Sequence, residues 1–406
     1  MPDKMTILQR LQAGEITAQE ALELMNQGES PTPQAPPQAA SHKDPAPNNP
    51  RHSDPVQNHP NHYPEYYDHD EFDHHHEPGW ADGLFGWVGE VVNDITSEFK
   101  DWDISANISD LVGGRYSHNK RTERFTSKPI LQSLALLELH GKNDKIEIQG
   151  YDGDTVQIEC FYDARYPDAY VQFHDEDGAV SLLFDDKIMR SVQVLCRVPR
   201  MHIGQLIAAT KNDRIRLIEV SAGDINLSTK NASIYMEAIN STNLTANTRN
   251  DNIKARAVTG SHIHFETTNS KISVEDIHAK TLELITTNAG IKTAGIDAIN
   301  LYMKTTNTGL KLEDTLHGGN SPFWDEERSI EAYTTNGGIK LFLPEGIGMK
   351  VEANASGGKV NCDIPLYNTE GNRSYMVGES VSYASSGRRL NTRLHTTNAN
   401  IRIRGM

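Results

Sequence analysis

An asparagine recurs every 19 residues through the middle of this chain, at Asn212, Asn231, Asn250, Asn269, Asn288 and Asn307, and the same signal returns after an insertion at Asn336 and Asn398. Two residues before each stands a threonine: Thr210, Thr229, Thr248, Thr267, Thr286, Thr305, Thr334 and Thr396. Three residues after each stands an aliphatic side chain: Ile215, Ile234, Ile253, Ile272, Ile291, Leu310, Ile339 and Ile401. A fixed period of this kind marks a repeat architecture, in which each unit buries its apolar side only by stacking on its neighbours.

With each asparagine taken as position zero, apolar residues fall at +3 and +5 (Ile215 and Leu217, Ile234 and Met236, Ile272 and Val274) and at +8 (Val220, Ile239, Val258, Ile277, Ile296). They return at +13 and +15, as in Ile225 and Leu227, Leu244 and Ala246, Ile263 and Phe265, Leu282 and Leu284, Leu301 and Met303. Alternation with period two is the pattern of a strand with one face buried. The spacing predicts a mainly β fold, a single-chain β-solenoid of about 19 residues per coil, whose coils stack about 4.8 Å apart with strands paired in parallel. A propeller blade would need roughly 40 residues, and a leucine-rich repeat would show its own consensus. Asparagine tolerates left-handed backbone and can hydrogen-bond to its counterpart in the next coil, so the Thr-x-Asn column is expected to be a turn device.

Because +3 and +5 point inward, +4 is expected to point out. That column reads Arg216, Tyr235, Lys254, Ser273, Lys292, Lys311, Lys340 and Arg402, six of eight basic. Such a stripe serves either as solvated protection of a sheet surface or as an attractor for a polyanion: an envelope polymer, a lipid headgroup, or the chain's own acidic segment from Asp68 to Asp103. The insertion from Thr315 to Ser329 breaks the cadence and carries Phe323 and Trp324, a second candidate for recognition. The polar, Gly/Ser-rich stretch from Tyr367 to Arg389 is expected to be another loop.

The solenoid domain is assigned to residues 125–406, beginning with short alternating pairs such as Leu137 and Leu139, Ile146 and Ile148, and Val192 and Val194. Residues 1–29 read as a small helical hairpin: Gly14 stops the first helix, and Thr17 with Glu20 forms a capping box for the second. So small a unit is expected to dock on a partner protein, on a second copy or on its own chain. Residues 30–79 have the composition of a disordered linker rich in His, Pro and Asp. His69, His74, His75 and His76 there are candidate metal ligands, set against the plainer reading of a spacer whose charge follows pH. In residues 80–104, Leu84, Trp87, Val88, Val91, Val92, Ile95, Phe99 and Trp102 recur at helical spacing, opposite Asp82, Glu90, Asp94, Glu98 and Asp101. This amphipathic helix is expected to cap the solenoid, lie along it, or dock a partner; its acidic polar face suits anionic lipid poorly.

The net charge is −16, distributed as −3 over residues 1–30, −6 over 31–79, −5 over 80–104 and −2 over all the rest. The acidity is therefore an N-terminal property, which argues against a nucleic-acid mimic built on the solenoid. Cys160, Cys196 and Cys362 are odd in number and widely spaced, without a C-x-x-C, so neither a disulfide framework nor a zinc knuckle is indicated. The acidic clusters fall in turns, and no nucleophile elbow, phosphate loop or HExxH is present, so no enzyme and no cofactor are expected. The N-terminal residues lack a signal peptide's apolar core and no run of 18 apolar residues occurs, which points to the cytoplasm, or to the cell surface by a non-standard route.

The hairpin ILQRLQAGEITAQEALELM, followed after a variable linker by TTNAGIKT, TTNGGIKLFLPEG and ASGGKVNCDIPL, resembles the bacterial candidate-adhesin family of β-strand-repeat proteins, the LiaX and YvlB type. The likeness covers the hairpin and residues from about 125 to 406, and leaves out the His-rich linker. It implies a non-enzymatic β-solenoid tied to the cell-envelope stress response, acting with membrane proteins of that system. The expected partners are such a protein, an anionic envelope polymer or a cationic peptide, and no nucleic acid. The alternative is a carbohydrate-acting or carbohydrate-binding β-helix.

Overall fold

The computed structural model describes residues 120–405 apart from 168, 185–188, 201–202 and 314–326. The hairpin of 1–29, the linker of 30–79 with His69, His74, His75 and His76, the helix of 80–104, and Phe323 and Trp324 all lie outside the described residues. The chain divides between His74 and His75 into two units, and every described residue belongs to the second.

Each regular coil is one long bent strand. Ile234–Asn247, Ile253–Glu266, Ile272–Ile285 and Ile291–Lys304 are each 14 residues long. They pair in parallel, each residue beside the one a full repeat further on. The β-solenoid foreseen from the period is therefore the fold, and the inward columns are those expected: Ile234, Met236, Ile239, Leu244 and Ala246 are all buried, as are Ile272, Val274, Ile277, Leu282 and Leu284.

The strand bends because one residue per coil leaves the extended region. At +7 stand Glu219 (φ 55°), Ala238 (54°), Ala257 (52°), Asp276 (53°) and Gly295 (62°), all left-handed. The bend switches which parity of residue faces inward, from +3 and +5 to +8. It also explains a column that periodicity alone did not single out. At +10, Ala222, Ser241, Ala279 and Ala298 are buried, and Gly260 stands in register with them. A Cβ on Gly260 would meet the Ser241 carbonyl at 3.1 Å and Ile263 Cγ1 at 3.0 Å, so only small side chains fit this side of the coil.

The Thr-x-Asn turn works as two ladders. Asparagine Nδ2 donates to the Oδ1 of the asparagine one coil earlier in Asn231, Asn250, Asn269, Asn288 and Asn307, at 2.6 to 2.7 Å. Asn336 and Asn398 continue the series, at 2.9 and 2.7 Å. The threonines are buried, and their hydroxyls donate to the carbonyl just past the preceding asparagine: Thr248 to Ala232 (2.8 Å), Thr267 to Asp251 (3.1 Å), Thr286 to Ser270 (3.0 Å), Thr305 to Ala289 (2.8 Å). A buried hydroxyl must find an acceptor, and the turn of the previous coil supplies it.

At the C-terminal end the stacking order departs from chain order. Arg328–Thr334 pairs with Arg389–Thr396, which in turn pairs with Gly348–Ala355. Likewise Ile339–Leu343 pairs with Ile401–Gly405, which pairs with Val360–Cys362. The last coil of the chain is thus inserted beneath the one that precedes it in sequence. The stretch from Tyr367 to Arg389, expected as a loop, contains the strand Tyr375–Ser380, which pairs antiparallel with Leu366–Gly371 on one side and with Gly348–Ala355 on the other. A terminal strand with one face open tolerates polar residues, which is why composition suggested a loop. At the opposite end Lys120–Thr126, Gln157–Ala164 and Met189–Pro199 also pair antiparallel. At both ends antiparallel strands extend the stack, with Lys120–Thr126 and Leu366–Gly371 outermost.

Candidate functional site

The six basic residues singled out in the sequence stand in one line. Arg216, Tyr235, Lys254, Ser273, Lys292, Lys311, Lys340 and Arg402 are successive partners in the parallel register. Glu147 extends the row before Arg216, and Asn361 extends it after Arg402. The row faces away from the core but is unevenly open. Lys340 and Arg402 are exposed, and Lys254, Lys292 and Lys311 are half-buried. Arg216 is only 2% exposed, Tyr235 6% and Ser273 7%. Full solvation of the stripe, the simplest expectation, thus applies only to its Lys340 and Arg402 end.

Charge pairing accompanies the burial. Arg216 lies 3.7 Å from Glu147, which also takes Lys145 at 2.8 Å. The Tyr235 ring lies between Arg216 and Lys254, with its centroid 6.0 and 5.7 Å from their charged groups. Two residues further along each strand, on the same face, run Glu237, Arg256, Glu275, Ala294 and Glu313. Arg256 pairs with Glu237 at 2.7 Å and Lys311 with Glu313 at 2.6 Å. Burial pushes the Glu313 carboxyl up from its ordinary range, against the pull of Lys311, Lys292 and Lys340. Burial likewise raises Glu275, whose Oε2 is buried without a hydrogen-bond partner.

The other outward face carries a different chemistry. Its column runs Thr245, His264, Glu283, Tyr302, Glu331, Arg393 and Glu352 in register. His264 Nδ1 meets Glu283 at 2.8 Å, the rings of Tyr302 and Tyr333 lie 5.7 Å apart, and Arg393 bridges Glu331 (3.5 Å) and Glu352 (3.3 Å). Here a groove of about 500 Å³ is lined by Glu327, Ser329, Glu331, Lys350, Tyr383 and Arg393, among others. Tyr383 donates its hydroxyl to Glu327 Oε1 at 2.6 Å, and Asn391 Nδ2 donates to the same oxygen at 2.7 Å. Those two bonds hold the Glu327 carboxyl below its usual value, and the bond to Glu327 pushes the Tyr383 phenol up to about 12. Sequence reasoning missed this cluster. Its members are up to 64 residues apart and meet only because the last coil is inserted next to Arg328–Thr334.

The three cysteines are free thiols, and burial pushes each above its ordinary value, which opposes a nucleophilic role. Among the described residues no group of three or more His, Cys, Asp or Glu is placed to hold a metal ion. No helix among them is long and apolar enough to cross a membrane.

A β-solenoid of in-register outward columns, extended at both ends by antiparallel strands, defines the class: a β-repeat protein. The chain belongs to the Toastrack DUF4097 family, whose profile matches residues 136–404. A comparison with curated proteins gave no match. Among solved structures it is similar to a candidate cell-adhesion protein of Clostridium sporogenes, at 11% identity over 71% of this chain and 100% of that one, with a TM-score of 0.23. It is similar also to candidate adhesins of Parabacteroides merdae (10% identity, 70% and 96% covered, TM-score 0.32) and of Bacteroides fragilis (9%, 71% and 98%, 0.27).

Proposed function

We propose that this protein is a non-enzymatic binding and sensing scaffold of the bacterial cell-envelope stress response, whose solenoid holds a basic row against a phosphate-bearing envelope polymer or lipid headgroup. The observation that carries the reading is the single line of Arg216, Lys254, Lys292, Lys311, Lys340 and Arg402, with its exposed end at Lys340 and Arg402. Cations one or two coils apart, at about 4.8 Å per coil, match a polyanion better than any single small ligand, and their attraction weakens as salt rises. Phe323 and Trp324 in the inserted loop are a second binding point in this reading, and a membrane-protein partner of the same system or a cationic peptide is a further expected ligand. The histidines His69, His74, His75 and His76 would hold a metal only if a partner fixed their geometry.

The groove around Glu327, Tyr383, Asn391 and Arg393 favours a second reading, carbohydrate binding. Tyrosines beside fixed carboxylate, amide and guanidinium groups suit a sugar's hydroxyls and its apolar face. Sedimentation of the full chain with purified cell walls, before and after stripping their phosphate polymers, separates the two. The first reading expects binding that falls with salt, disappears on stripped walls and is lost in Lys340→Glu/Arg402→Glu. Binding that survives stripping and is lost in Tyr383→Phe/Asn391→Ala would overturn it in favour of the second.

A further inference from the structure

We infer that the basic row is a docking strip for this chain's own residues 80–104, the acidic amphipathic segment. The inference rests on taking the row as a binding strip and is independent of which outside partner, if any, competes for it. Three observations point the same way. The first is burial: on an outward face whose Lys340 and Arg402 end is exposed, Arg216 is only 2% exposed, Tyr235 6% and the adjoining Glu313 3%.

The second is composition. The row and its neighbour mix cations with apolar surface: Tyr235, Ile218, Ala294 and Phe342 lie among Arg216, Lys254, Lys292, Lys311 and Lys340 on the same outward face. The segment offers the complement, with six acidic residues against Lys100 and an apolar face of Leu84, Trp87, Val91, Ile95 and Trp102. The third is length. Seven steps from Arg216 to Arg402 at about 4.8 Å span roughly 34 Å, and a helix over the 25 residues 80–104 spans about 37 Å. The 15 residues between Ile104 and Lys120 can span up to about 50 Å at about 3.4 Å per residue.

Zero-length carbodiimide cross-linking of the full chain, read by mass spectrometry, tests this. The Lys311–Glu313 pair, 2.6 Å apart, is an internal positive control. The expected result is amide links joining Lys254, Lys292 or Lys311 to Glu90, Asp94, Glu98 or Asp101, formed within one chain in a mixture of light and isotope-labelled protein. Asp94→Lys/Glu98→Lys should lose the links, and adding Lys292→Glu/Lys311→Glu should restore them with the charges exchanged. The control link without any link to residues 80–104 overturns the inference, as do links found only between light and heavy chains, which would make the occupant a second copy. The wild-type map alone decides the matter if a charge-reversed variant fails to fold. Wall binding can fail while these links form, so this result and the failure of the proposed function are told apart.

Discussion

Thr286 and Asn288 stand two residues apart in one turn and do opposite things. The threonine is 2% exposed and donates inward to the Ser270 carbonyl, whereas the asparagine lies at the surface and links Asn269 to Asn307 along the axis. Valine would match threonine in shape and bury as well, but would leave the carbonyl without that donor, a loss of about 1–3 kcal/mol for an acceptor with no substitute. Glu275 is the converse case, a charge kept where burial disfavours it. Arg256 is engaged by Glu237, and Glu275 Oε2 is buried without a hydrogen-bond partner. Its folded pKa lies above the ordinary 4.5, so the proton favours the folded state. The stability this group contributes is present below its unfolded pKa and is lost as pH rises through the folded value. Glu275→Gln should therefore match the parent in urea denaturation near pH 4 and exceed it at pH 7. A variant less stable than the parent at pH 7 would show that Arg256 outweighs burial.

At the scale of the element, the bent strand is defined by its left-handed residue. Ala238 and Ala257 adopt φ of 54° and 52° with a side chain in place, while Gly295 does the same work without one. The left-handed region costs a residue with Cβ about 1–2 kcal/mol, against roughly 0.5–1 kcal/mol for the extra freedom glycine brings to the unfolded chain. Ala257→Gly should thus stabilise the protein by about 0.5–1 kcal/mol, the difference of those two ranges. Gly295→Ala should cost a similar amount, since a Cβ there meets nothing closer than 3.5 Å. Chemical denaturation of both variants checks the pair, and a shift of the same sign in the two would refute the strain account. The corner also illustrates what pattern alone leaves open. Glu219, Ala238, Ala257, Asp276 and Gly295 span four residue types, so nothing at +7 announced a turn, whereas the inward columns were legible because burial selects side chains strongly.

At the scale of the molecule, a repeat stack stands on contacts between neighbours. Excising Asn269–Thr287 removes one full 19-residue coil and joins Thr268 to Asn288, which preserves the Thr-Thr-Asn turn and every column. The shortened chain should fold with an unchanged β circular-dichroism spectrum and a lower melting temperature, having lost one interface. Excising Asn269–His278 instead should abolish folding, because every later inward side chain then falls out of register. The period, the asparagine ladder, the inward columns and the alignment of six basic residues were all set by sequence, since each follows from one residue type returning at one interval. Tertiary structure alone decided three things. It inserted the last coil beneath the preceding one, because an open strand edge pairs with whatever strand reaches it, whatever the distance along the chain. It thereby assembled the Glu327, Tyr383 and Asn391 groove from residues that no spacing connects. It also made one end of the basic row buried and the other exposed, which depends on what lies against a face, and no periodicity along the chain encodes that.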